Sequence, residues 1–102
     1  MAKDPAFLFF PGDWLGGTMT FTRDIKGGYI DLLMAQFNHG HMSLQEIKTI
    51  LGSEDFEKMW EPFLKRKFKV DSNGLYYNQK LEDETIKRKN FTESRRKNRA
   101  GD

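Results

Sequence analysis

Asp71-Ser72-Asn73-Gly74 separates two short β-type runs, Phe68 to Val70 and Leu75 to Tyr77. An Asn-Gly pair in that setting is the strongest short-range signal for a β-hairpin. The hairpin comes late in a chain of 102 residues. Upstream of it, most of the apolar pattern has the helical period. This order predicts an α+β, mainly helical fold, with the hairpin attached to a helical body.

Three helices are predicted before the hairpin. Thr22 is a cap candidate, with Asp24 in the first turn. Ile25, Tyr29, Leu32, Leu33 and Phe37 follow at helical spacing, so a helix is read from about residue 23 to 38. Gly27-Gly28 weakens that helix by about 1 kcal/mol per glycine relative to alanine. Close approach of another backbone, that of the aromatic N-terminal segment, is the expected reason. Asn38 to His41 reads as a turn. Ser43-Leu44-Gln45-Glu46 is a capping box, and Leu44, Ile47, Ile50 and Leu51 are the expected apolar face of the second helix. Gly52 closes that helix. A third opens at Ser53 or Asp55 and carries Phe56, Met59, Trp60, Phe63 and Leu64. Pro62 removes one of its backbone donors, which predicts a kink or a restart near residue 61. Three helices, a short turn at Gly52 and a hairpin together predict a winged helix: a helix-turn-helix unit with a two-stranded wing.

The opening "FLFFPGDW", residues 7 to 14, contains four aromatic residues. Its apolar run stops at Pro11-Gly12-Asp13, too short for an export signal, and no stretch approaches the ~20 apolar residues of a membrane span. The rings of Phe7, Phe9, Phe10 and Trp14 are expected to pack on the Tyr29/Leu33/Phe37 face, with Trp60 and Phe63 closing the other side. Gly16-Gly17 reads as a loop, and the alternation Thr18-Met19-Thr20-Phe21 as a short strand. The chain has no cysteine, which removes disulfides, thiol nucleophiles and thiolate-bound zinc and fits a cytoplasmic location.

Three stretches together resemble a known family: "FLFFPGDWLGG", "KGGYIDLLMAQFNHGHM" and "GLYYNQKLEDE". They are similar to the N-terminal domain of phage and prophage replication proteins, the YdaU-like group. Its motifs correspond here to Phe10-Pro11-Gly12-Asp13-Trp14, Gly28-Tyr29-Ile30-Asp31-Leu32-Leu33, Gly40, and Tyr77-Asn78 leading into Leu81-Glu82-Asp83-Glu84. The resemblance covers about residues 4 to 90. It implies a winged helix at the front of a replication-initiation or replisome-organising protein, one that binds DNA and recruits a helicase or helicase loader in a bacterial host cell. Family members usually continue into a linker and a second domain. This chain is therefore expected to be a trimmed piece or a small stand-alone version.

Charge is unevenly distributed. Residues 1 to 79 hold nine basic and ten acidic side chains, whereas residues 85 to 100 hold seven basic residues against Glu93 alone. The expected division is a winged-helix domain over 1–84 and a basic tail, helical or disordered, over 85–102. DNA affinity comes mainly from phosphate neutralisation by Lys and Arg. The candidate contacts are Lys65, Arg66, Lys67 and Lys69 near the wing, and Arg88, Arg95, Arg96, Lys97 and Arg99 on the tail. The first group also reads as a solvated face that complements a helix C-terminus, and the second as a soluble linker. The acidic start of the third helix, Glu54-Asp55-Phe56-Glu57, would repel phosphate and argues against docking that end in a groove.

His39-Gly40-His41 reads as a turn rather than a metal site, because no carboxylate lies at ligand spacing. Asp13 is expected as a turn or cap residue. One of Tyr76 and Tyr77 is expected to face the core and the other solvent. No phosphate loop or catalytic constellation is evident, so the expected role is binding, without a cofactor. A protein-interaction or oligomerisation module, and a small phage effector of a host protein, are the competing readings.

Overall fold

A computed structural model of the chain describes the backbone of residues 11–101 and the side chains of residues 11–90. Among these residues five α-helices and one hairpin succeed one another: α1 (Pro11–Gly17), α2 (Arg23–His39), α3 (Leu44–Leu51), α4 (Ser53–Met59), β1 (Lys69–Val70), β2 (Tyr76–Tyr77) and α5 (Gln79–Gly101). A π-helical turn over Trp60–Leu64 and a 3₁₀ turn over Lys65–Lys67 join α4 to β1. The fold is thus mainly helical α+β.

Local chemistry accounts for the helix ends. The Thr22 side chain accepts from the Ile25 amide, 3.3 Å, and starts α2. Gly40, at φ 93°, stops it. The Ser43/Glu46 capping box forms in both directions. Gly52, at φ 88°, ends α3 and leads directly into α4. Pro62 cannot donate to the carbonyl four residues back. The ladder widens there, and the Lys65 amide reaches the Trp60 carbonyl. The expected break near residue 61 is therefore a change of helix type. One extra residue in a turn rotates the downstream side chains by about 100°, which re-aims Lys65, Arg66 and Lys67.

Helix α2 is packed on two sides. On one, Leu32, Met42, Ile47, Met59, Trp60, Leu64 and Phe68 form the main core with Phe21 and Ile25. On the other, Leu33 and Phe37 meet Leu81 of α5, with Trp14, Ile30 and Met34 against them. Tyr29 belongs to both clusters. It stacks on Trp14 at 5.3 Å and meets Phe21 and Phe68 edge-on. Trp14 therefore packs on the Tyr29/Leu33/Phe37 face, while Phe7, Phe9 and Phe10 lie outside the described residues.

The hairpin is antiparallel, with Lys69 opposite Tyr77 and Val70 opposite Tyr76. Its turn is not the two-residue Asn-Gly type, because Asn73 keeps a negative φ and only Gly74 is positive. Instead the Asp71 carboxylate accepts from the amides of Asn73 and Leu75. On its other edge β2 pairs with Met42, whose N–H and C=O both bond Tyr76.

Several expectations need correction. Thr18 to Phe21 is not a strand. The Thr18 amide and hydroxyl both bond the Trp14 carbonyl, which turns the chain instead of extending it. Gly16-Gly17 belongs to the end of α1 rather than to a loop. The approach to Gly28 comes from side chains: an added Cβ would lie 3.0 Å from Leu51 Cδ2, 3.3 Å from Met59 Sδ and 3.5 Å from Leu64 Cδ1. Gly27 has nothing within 4 Å of such a carbon, so no close approach explains it. In α3 only Ile47 is buried; Leu44 and Ile50 are 44% and 37% exposed.

Among the buried polar side chains, Gln36 and Asn78 bond to each other. Gln36 donates to the Asn78 carbonyl and accepts from the Asn78 amide, 3.2 and 2.6 Å. The Asn78 amide group donates to the Tyr29 hydroxyl and to the Lys67 carbonyl, 3.1 and 2.9 Å. Its oxygen caps α5 through the Leu81 amide, 2.9 Å. Burial holds the Tyr29 phenol above its ordinary pKa of 10.0, with the Asn78 bond opposing.

These contacts set the cost of three substitutions. Asn78→Ala loses a helix cap and leaves buried partners unsatisfied, so urea unfolding should show a loss of about 2–4 kcal/mol. Gly27→Ala should gain about 0.5–1 kcal/mol from helix propensity. Gly28→Ala should fall at least about 1 kcal/mol below it because of overpacking. Equal stability of the two alanine variants would contradict the packing described at Gly28.

Candidate nucleic-acid interface

The Lys65–Lys67 turn and β1 place Lys65, Arg66, Lys67 and Lys69 at one junction, where the third helical segment gives way to the hairpin. Lys65, Arg66 and Lys69 are exposed and Lys67 is half-buried. Lys65 pairs with Glu61 at 3.4 Å, one turn back; such an exposed pair contributes only about 0.3–0.5 kcal/mol and yields readily to a stronger anion. Arg66 and Lys67 both lie over the Phe21 ring, with Arg66 Cζ 5.7 Å and Lys67 Nζ 5.6 Å from its centroid. Lys69 lies opposite Tyr77 across the hairpin.

Arg88, Arg95, Arg96, Lys97 and Arg99 lie on α5, which runs as one helix to Gly101. Arg88 is half-buried; the side chains of the other four are outside the described residues. The period of 3.6 residues sets positions 88, 95 and 99 on one face. The root of α5 adjoins the basic turn through the Asn78 bond to the Lys67 carbonyl. Arg88 is ten residues further on, about 15 Å along the axis. The two candidate groups are thus separate, one beside the root of α5 and the other from its tenth residue onward.

The exposed start of α4 bears Glu54, Asp55 and Glu57, with Lys58 paired to Glu54 at 2.9 Å. Charge along this segment runs from acidic to basic, in the sense that complements the helix dipole. Any polyanion would approach its C-terminal end and the hairpin rather than its first turn.

His41 has a role that its sequence setting does not signal. Its two ring nitrogens reach carboxylates on different elements: Asp71 of the hairpin turn at 2.7 Å and Glu82 of α5 at 2.8 Å. Its ring also stacks on Tyr77 at 4.4 Å and 11°. Tyr77 is therefore half-buried like Tyr76, which packs on Trp60, and neither is freely solvated, contrary to the expected alternation. Among the described residues no group of three or more potential ligands is placed to hold a metal. Asp13 is neither a turn residue nor a cap: it lies in α1 and pairs with Lys80.

Among the described residues no helix is long and apolar enough to cross a membrane. The chain matches no family model, no curated protein and no solved structure.

The His41 latch makes stability depend on pH. The hydrogen bond that His41 donates to the Asp71 carboxylate, with further help from Glu82, raises the His41 pKa above its ordinary 6.5, burial opposing. The bond to His41, followed by the Leu75 amide, lowers Asp71 below 3.8. A raised histidine stabilises fully below its unfolded pKa and ceases to do so as pH rises through the folded one. A lowered carboxylate stabilises above its unfolded value and fails as pH falls through the folded one. The stability difference between the native chain and His41→Gln should therefore be greatest between the lowered Asp71 pKa and about pH 6.5, shrinking on either side. A difference that grows with pH above 7 would refute this assignment.

Proposed function

We propose that the chain is a DNA-binding winged-helix domain, acting by binding and without catalysis. The observation that carries this reading is the convergence of Lys65, Arg66, Lys67 and Lys69 where the helical unit meets the hairpin. The order of elements supports it. Helices α2, α3 and α4 with the turns after them form the trihelical unit, and the hairpin comes next as the wing. Met42, between the first two helices, pairs with the wing as a third extended position. In this reading the wing and the end of the third helix contact phosphates, and α5 adds Arg88, Arg95, Arg96, Lys97 and Arg99. The acidic first turn of α4 stays outside the groove.

The resemblance carries the proposal further. The domain would serve a phage or mobile-element protein that initiates replication or organises the replisome, with a helicase or helicase loader as partner, in the cytoplasm of a bacterial host. Gly28, Tyr29 and Asn78, on which that resemblance partly rests, are packing and hydrogen-bonding centres. They support a shared scaffold more than a shared contact surface.

One observation favours a second reading, a protein-interaction or oligomerisation module. Glu54, Asp55 and Glu57 are exposed on α4, and Leu44 and Ile50 on α3, a surface with no use for phosphate.

Duplex-DNA binding measured across a salt series separates the two. Under the first reading, the log–log slope of affinity against salt is about −4 to −6, and Lys69→Ala reduces its magnitude by about 1. Salt-independent affinity, or none in low salt, together with a stable dimer on sedimentation, would favour the interaction module.

A further inference from the structure

Arg66 and Lys67 are neighbours within a 3₁₀ turn. Successive residues of such a turn project about 120° apart. Nothing in the backbone therefore sends both side chains to one place, yet both end over Phe21. The ring is 6% exposed and is gripped edge-on by Tyr29 and Phe63, at 81° and 79°. It is a packed floor, over which Arg66 is exposed and Lys67 half-buried. Gly17 adjoins the Lys67 ammonium: an added Cβ would lie 3.7 Å from Lys67 Nζ, an ordinary contact distance. Among the described residues neither cation has a carboxylate at ion-pair distance.

The two positive groups are at most about 11.3 Å apart, given their distances to the shared centroid. Like charges within that limit repel weakly in water, and an anion that reaches both replaces repulsion with attraction. Long basic side chains ordinarily lose rotamer freedom when they grip a ligand. Attraction to an aromatic face limits that freedom before the ligand arrives. The guanidinium offers a planar fork of donors suited to phosphate, and the ammonium a point charge.

We infer that Phe21 is the floor of a preorganised phosphate clamp, in which Arg66 and Lys67 together take a phosphate group of a nucleic-acid backbone. This rests on the DNA-binding reading and deepens it, giving a buried residue far away in the chain a part in affinity.

The test uses the full chain, NMR signals of the Arg66 and Lys67 side chains, and two probes: inorganic pyrophosphate and a short duplex. In the free protein the ring should shift the Lys67 ε-methylene and Arg66 δ-methylene signals upfield. Pyrophosphate should then move both signals saturably. Arg66→Gln and Lys67→Gln should each abolish the saturable response at the remaining partner. Phe21→Leu keeps an apolar side chain and removes the ring, so both probes should bind about fivefold more weakly while the thermal transition remains cooperative. Absence of the upfield shift, absence of saturable pyrophosphate binding, or unchanged affinity in folded Phe21→Leu would overturn the clamp. Should Phe21→Leu fail to fold, the shift and the two glutamine variants decide. A clamp that takes pyrophosphate in a chain that binds no duplex would sustain the clamp and remove the DNA reading.

Discussion

The side chain and backbone of Asn78 tie together three parts of the chain: α2, the turn at Lys67, and the junction of the hairpin with α5. Its amide group reaches Tyr29 on α2 and the carbonyl of Lys67, its oxygen caps α5, and its own peptide groups are matched by Gln36. Asn78 is 8% exposed and Gln36 4%, so water is not a ready substitute for these partners. Satisfied polar groups at that depth specify geometry more strictly than apolar contacts do, because a small shift leaves a donor unpaired. The network sets where the hairpin ends, where α5 begins and how both meet α2.

That fixed junction makes the two-sided role of α2 workable. One face of the helix receives α3, α4 and the hairpin, and the other receives α1 and the root of α5. Gly28 lets Leu51, Met59 and Leu64 come in where a side chain would intrude. The π-helical turn at Pro62 then keeps both Trp60 and Leu64 in the core and leaves Lys65 and Arg66 outside. Display of positive charge at the hairpin root is a by-product of how the helix resolves its missing donor.

The proposed function draws on this display. Under that proposal, the cations at the helix–hairpin junction and the basic positions of α5 would act together, while acidic side chains occupy the opposite end of α4. The separation of sign over one domain would orient a polyanion before any short-range contact is made. His41 adds a tie between the hairpin turn and the root of α5, alongside the one made by Asn78.

Much of the scaffold was legible in the sequence because it depends on neighbours a few residues apart. The span of α2, the Ser43 capping box, the break at Pro62 and the hairpin around Gly74 come from capping, proline and glycine chemistry. The misreadings share a cause. Thr18 to Phe21 alternates like a strand, but a bond from Thr18 to Trp14 and the burial of Phe21 override that pattern. The basic residues themselves were visible as a charge run. Their convergence on Phe21, the latch of His41 between Asp71 and Glu82, and the reach of Gln36 to Asn78 were not. Each joins residues at least 30 positions apart. Sequence alone determined the ends of the capped helices, the break at Pro62 and the hairpin turn, since backbone sterics and capping act locally. Tertiary structure alone decided which distant polar and charged groups meet, since that depends on how the helices close around a shared core.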